Sequence, residues 1–437
     1  MSDLAAFRDS LDGVLLDPGS PGYERARRPV NPAYRQVRPR YVVRCGSAAD
    51  VARAVTYARV SGCRLVARGG GHCFAGRSST DGMVLDMSGL AGVSVAADGV
   101  ATIGAGARLG QVYAELHAHG RTVPGGCGAT VGIAGLTLGG GIGLLGREYG
   151  LTCDRLVGAR VVLADGSVVD CDAEREPELF WALRGAGGGQ FGVVTSLRFD
   201  TVAEPVTTRI EAHWPLADTV AAWQAWAPYA PEALTANLTV VADPGVPPRA
   251  VLFGAATLDE AATREALRGF TDLVGTAPAV ELRAGLPYHR LKATLADPRE
   301  SPERAVRIRS EFFTRPMAGR TVAALLDGLG TPGATAPRRL AFTAMGGAYD
   351  RVAPDATAFA HRGVRYLLEQ VGGPDDPWVD AAWATAHVDG SGRVYPNFPD
   401  PALDDGAVAY HGENRARLAA VKRAYDPDRF FDFPQAI

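Results

Sequence analysis

The run Arg68-Gly69-Gly70-Gly71-His72, continuing as Cys73-Phe74-Ala75-Gly76-Arg77-Ser78, constrains this chain more than any other feature. It is entered from the apolar stretch Leu65-Val66-Ala67. Consecutive glycines let a backbone turn tightly and bring its N–H groups close to a large bound molecule. His72 then stands at the rim of that turn, where an imidazole can meet a ligand edge-on.

A second cluster runs from Pro124 to Gly143 and includes Cys127, Gly128, Thr130, Val131, Gly132, Gly135, Leu136, Gly139, Gly140 and Gly141. So many glycines among small apolar residues oppose a stable helix or an ordinary strand. They suit a backbone wrapped around a long, partly phosphorylated ligand. A third cluster, Gly185 to Gly192, leads into Val193-Val194. Alone, each would read as a turn-rich loop; three together point to one ligand surface.

Composition excludes several classes. At 437 residues and 47% hydrophobic, the chain can bury large cores and should hold about two or three domains. A net charge of −3 gives no footprint for nucleic acid or an anionic membrane. The 53 glycines and 29 prolines are dispersed rather than periodic, against collagen-like or disordered chains. No apolar run reaches the roughly 18 residues of a membrane helix. The start, Met1-Ser2-Asp3-Leu4, lacks a basic and apolar leader. The six cysteines, the last at Cys171, therefore read as reduced thiols of a cytoplasmic protein. No metal ligand set is read.

Periodicity places a helix from Ser47 to Gly62, strands at Leu65–Ala67, Met83–Met87 and Val100–Ile103, and a helix from Leu109 toward Gly120. Val161–Leu163 and Val168-Val169 around Asp165-Gly166 form a hairpin pattern, with a short helix at Glu178–Arg184 and a strand at Val193–Phe199. Beyond Pro205 the glycine clusters cease. Leu238–Val241 and Ala250–Phe253 read as strands, and Ala360–Gln370 and Glu413–Ala424 as helices. Boundaries fall at 1–35 (an extension), 36–203, 204–385 and 386–437, the last returning to the first domain.

The strings RGGGHCFAGRS, GLTLGGGIGLLGREYGLTCD and WALRGAGGGQFGVVT resemble the flavin domain of berberine bridge enzyme-like oxidases, of the p-cresol methylhydroxylase (vanillyl-alcohol oxidase) superfamily. The tail, Tyr395-Pro396-Asn397-Phe398 and then Tyr410 through Phe430, is similar to that family's C-terminal motif. The resemblance implies an α+β fold: a two-lobed FAD-binding domain (PCMH-type) and a substrate domain with an antiparallel sheet backed by helices. It implies FAD bound covalently through His72, within a cofactor set of Arg68, Gly69, Gly70, Gly71, Cys73, Gly76, Arg77, Ser78, Cys127, Gly128, Thr130, Gly132, Gly135, Leu136, Gly139, Gly140, Gly141, Gly143, Gly192, Val193, Val194 and Asn397. Some relatives carry a second link from cysteine to flavin C6. That position is Gly128 here and Cys127 lies one residue earlier, so Cys127 is either a second link or a small thiol beside the ring.

The resemblance places Val131 where oxygen access to the flavin is governed and implies that valine there favours an oxidase. A family tyrosine that deprotonates substrate is Phe398 here, which has no proton to exchange. Tyr395 is the nearest phenol, with Tyr349, His361, Tyr366 and His387 as other suppliers of a base. The implied activity is hydride transfer from an alcohol, sugar hydroxyl or small natural product to flavin, with O2 reduced to H2O2. The alternatives are a flavin dehydrogenase and a flavin-binding protein of altered catalysis. Gly104 to Gly110 mimics a dinucleotide fingerprint, but no acidic residue follows about 20 residues on. Close packing at a helix start explains it better than a nicotinamide site does.

Overall fold

The computed structural model describes residues 4–214, 218–275, 279–295, 305–331 and 334–437; residues 1–3, read above for a leader, lie outside them. Two larger sheets, beside a two-stranded pair of Arg121–Thr122 with Val202–Ala203, make up the first part of the chain. The first has four strands in the order Val14–Leu16, Tyr41–Arg44, Met83–Asp86 and Leu65–Arg68, the last three mutually parallel. The Ala48–Ser61 helix crosses between parallel strands. Ser47 Oγ accepts from Asp50 N–H at its start, and Gly62 closes it at φ +64.

The second sheet is antiparallel, in the order Val93–Val95, Val100–Gly104, Val193–Asp200, Leu156–Val162 and Val168–Cys171. The expected hairpin is its edge, turning at Gly166 with φ +85. The Leu109–His117 helix buries Leu109, Val112, Tyr113 and Leu116 against it. At the apparent dinucleotide fingerprint, a Cβ on Gly106 would stand 1.8 Å from Met87 O. Close packing is therefore what this glycine permits.

The largest sheet has seven antiparallel strands, in the order Ala279–Pro287, Val206–Trp214, Arg249–Ala256, Leu234–Ala242, Arg338–Ala344, Tyr366–Gly372 and Arg307–Phe313. Its residues alternate between faces. Leu238, Leu252, Phe342 and Leu368 join a core beneath the helices Thr219–Trp226, Glu260–Val274, Gly319–Leu329 and Trp378–His387. The other face turns toward the two smaller sheets.

Two expectations are corrected here. Ala360–Gln370 is not a helix: Tyr366–Gly372 is a strand paired on both sides. Leu367-Leu368-Glu369-Gln370 favours helix intrinsically, but Gly363 sits at φ +69 and two flanking strands claim the backbone hydrogen bonds. The second glycine cluster does contain a helix, Ile133–Leu138. Its terminal carbonyl, on Leu138, accepts from the N–H groups of Gly185 and Gly187 at 3.1 and 2.7 Å. The third cluster thus caps the second.

Candidate active site

A cavity of about 590 Å³ lies between the glycine-rich loops beside the first two sheets and one face of the seven-stranded sheet. Its first wall is mostly backbone. A Cβ on Gly70 would stand 2.2 Å from Gly132 N, and one on Gly132 would stand 2.3 Å from Gly70 N. The first two clusters therefore touch main chain to main chain, which only glycine allows. Gly69, Gly70, Gly71, Gly128, Gly132 and Gly135 line this wall, continued by Leu136, Gly143, Gly192, Val193 and Val194. Cys73, Arg77, Ser78, Cys127, Val131 and Asn397 also reach it.

His72 enters at the end of the first turn, its Nε2 2.9 Å from Thr130 Oγ1. Burial lowers its pKa below the usual histidine range, with the Thr130 contact opposing, so the imidazole is neutral at neutral pH. Sequence reasoning missed Lys292. This buried lysine donates to Gly125 O, Gly126 O and Cys127 Sγ at 3.0, 2.8 and 3.4 Å, tying the Tyr288–Leu295 helix to the flavin-side loop.

Five residues expected to bind cofactor, Arg68, Gly76, Gly139, Gly140 and Gly141, do not border the cavity. Arg68 is a strut: its guanidinium donates to the carbonyls of Ser78, Ala26 and Arg27. Gly76 makes room for the Tyr34 ring, 2.4 Å from where a Cβ would sit. Gly139, Gly140 and Gly141 admit Asn397, Phe359 and Thr152 in the same way. The absent side chain at Gly139 lets the tail, through Asn397, close over the cluster.

The second wall is made of side chains. Phe253, Asn237, Thr343 and Leu367 form a row across four adjacent strands, and Glu369 stands two residues beyond Leu367 on the same face. Asn237 Oδ1 accepts from Ala344 N–H, which leaves its amide N–H groups for a ligand. Burial pushes the Glu369 carboxyl up to about 7, with Arg339 opposing. Glu369 was missed because its segment reads as helix.

The expected bases fare differently. Tyr395 borders the cavity, but its hydroxyl oxygen accepts from Gly141 N–H, Ile142 N–H and Asn397 Nδ2 at 3.0, 3.1 and 2.9 Å. Burial pushes its pKa up to about 12. It anchors the tail to the glycine cluster rather than standing ready to take a proton. Phe398 lines the cavity and packs edge-on against Phe74 and Tyr395. Tyr349 donates to Gly143 O, Tyr366 bonds Gln224 in the helix-side core, and His387 pairs with Glu311. His361 is buried with its pKa lowered to about 3. None of these four borders the cavity.

The first wall suits FAD. It offers bare main chain for a pyrophosphate, apolar side chains for a ring and one neutral imidazole. Among the described residues, no helix is long and apolar enough to cross a membrane, and all six cysteines are unpaired.

Comparisons with known proteins agree. The family described as FAD binding domain matches residues 39–172, and that described as Berberine and berberine like matches residues 394–437. The chain is 31% identical to an uncharacterized FAD-linked oxidoreductase, YgaK, of Bacillus subtilis (strain 168), over 98% of both chains. It is 29% identical to a chitooligosaccharide oxidase of Gibberella zeae, over 89% of this chain and 85% of that one. The solved structure of Physcomitrella patens BBE-like 1 superposes with a TM-score of 0.91 at 26% identity, covering 100% of this chain and 99% of that one. With a backbone-built flavin wall, the matching tail and this whole-length likeness, the chain belongs to the berberine bridge enzyme-like family of FAD-linked oxidoreductases.

Proposed function

We propose that the protein is an oxidase acting on a compact, largely apolar alcohol, amine or hydroxylated natural product, with Glu369 as its base. The observation that carries this reading is the position of Glu369. It is the carboxyl on the sheet face opposite the glycine wall, and its pKa of about 7 matches the operating range of a general base. Bound FAD supplies a hydride acceptor that O2 reoxidises with formation of H2O2.

The chain's own residues do the rest. Glu369, as carboxylate, takes the proton from the hydroxyl or amine at the carbon being oxidised. Asn237 donates to the substrate's polar atom. Phe253, Leu367, Phe74 and Phe398 hold the apolar body and exclude water. His72, neutral and fixed beside Thr130, anchors the flavin covalently, and Val131 leaves oxygen a path. Cys127 sits beside the flavin as a thiol held by Lys292. On this reading, residues 36–203 and 386–437 hold the flavin and 204–385 hold the substrate. The likeness to a chitooligosaccharide oxidase supports oxidation at a hydroxyl-bearing carbon. The short row, with Phe253 and Leu367 at its two ends, favours a substrate more compact than an oligosaccharide.

Acid precipitation of wild-type protein should leave flavin on the polypeptide, and His72→Ala should release it. An alcohol and amine panel, scored by oxygen uptake and peroxide, tests the oxidase. Reduction of the flavin without peroxide formation in air would make the protein a dehydrogenase instead.

A further inference from the structure

Away from the cavity, three segments distant in sequence bring His117, Glu204 and His289 together. His117 is the last residue of the Leu109–His117 helix. Glu204 follows the Val202–Ala203 strand, and its own N–H bonds Gly120 O just past that helix. His289 is the second residue of the Tyr288–Leu295 helix. Each carboxylate oxygen of Glu204 meets one imidazole: His117 Nδ1 at 2.5 Å and His289 Nδ1 at 3.0 Å. The two rings lie 3.5 Å apart.

Glu204 is only 7% exposed, and among the described residues its ionic partners are these two histidines, with no lysine or arginine on it. A nearly buried carboxylate needs its charge balanced. Besides the rings, Glu204 Oε1 accepts from His289 N–H at 2.7 Å, and a cation between the imidazoles would balance its charge.

We propose that this cluster is a binding site for a divalent transition metal of zinc type, clipping the flavin-side helix to the substrate-side helix. Two imidazoles and one carboxylate are a ligand set zinc takes, at about 2.0–2.2 Å per bond. Donors around such a tetrahedral centre stand about 3.3–3.5 Å apart. The present N–O separations of 2.5 and 3.0 Å therefore open by roughly 1 Å or less. His117 is 44% exposed, so its ring can swing out of the stack to accept the ion. The same exposure leaves a fourth position for water. The metal takes Nδ1 of each ring, the proton there moving to Nε2 of a neutral imidazole, and its charge balances Glu204. This inference stands apart from the flavin chemistry, since the cluster does not border the cavity.

Isothermal titration of the flavin-loaded protein with Zn2+, after stripping with EDTA, tests it. One equivalent should bind, with a midpoint of thermal unfolding a few degrees higher that EDTA reverses. His117→Ala, chosen because that side chain is half exposed, should fold normally and weaken Zn2+ binding by at least about tenfold. Glu204→Gln should do the same. Absence of stoichiometric binding overturns the proposal, and so does an affinity unchanged in the His117→Ala/His289→Ala protein. An unchanged flavin spectrum during the titration is expected; a spectral shift that persists in the double variant would place the metal at the cavity and overturn the site.

Discussion

The two walls of the cavity are built by opposite means. The flavin side is main chain, drawn from glycine runs each contiguous in sequence and pressed together where Gly70 meets Gly132. The substrate side is side chains, one or two from each of four strands, aligned only by register. A cofactor shared across a family can be recognised by backbone, which is indifferent to side-chain drift. A substrate needs particular groups at particular points, and a sheet face supplies them from residues far apart in sequence.

Breaking the substrate wall should have the largest effect. Glu369→Gln removes the proposed base and should lower kcat by about 10²–10⁴-fold. In the wild type, activity should rise with pH through about 7, because the raised carboxyl is protonated and inactive below that point. The variant should lose this acid limb in a kcat–pH profile. An acid limb that survives would assign the proton to another group.

Breaking the flavin wall should act through occupancy and stability. Gly70→Ala drives a Cβ to 2.2 Å from Gly132 N, so the two loops must part. A loss of about 2 kcal/mol or more and a low flavin-to-protein ratio are expected, read by thermal unfolding and absorbance. Full flavin occupancy in this variant would mean that the contact between the clusters is not what shapes the wall.

Tyr395→Phe sharpens the contrast with the smallest effect. It removes the acceptor of three N–H donors and should cost about 1–3 kcal/mol in denaturant unfolding. The pH midpoint of kcat should not move. If it does, Tyr395 rather than Glu369 handles the proton.

Much of the flavin half was legible because its signals are local. The Ser47 cap and Gly62 stop bound the Ala48–Ser61 helix as expected, and the hairpin at Gly166 turns where Asp165-Gly166 suggests. Even there, residue identity exceeded residue role. Arg68, Gly76 and Gly139 to Gly141 belong to the motifs yet serve packing, because a glycine required for a neighbour's ring looks the same in sequence as one required for a ligand. The substrate half was legible strand by strand at Leu238–Val241 and Ala250–Phe253, but not at Tyr366–Gly372, where intrinsic helix preference opposes the sheet.

By itself the sequence determined that a backbone-lined flavin wall exists, which imidazole stands at its rim and which tail closes over it. Those depend on glycine spacing within short runs, where conformational freedom is a property of the residues themselves. Tertiary structure alone decided that Glu369 faces the cavity, that Lys292 holds the Cys127 loop and that two histidines share Glu204. Each of those depends on strand register or helix docking between distant segments, and burial acts on a carboxyl or an amine only once those segments have met.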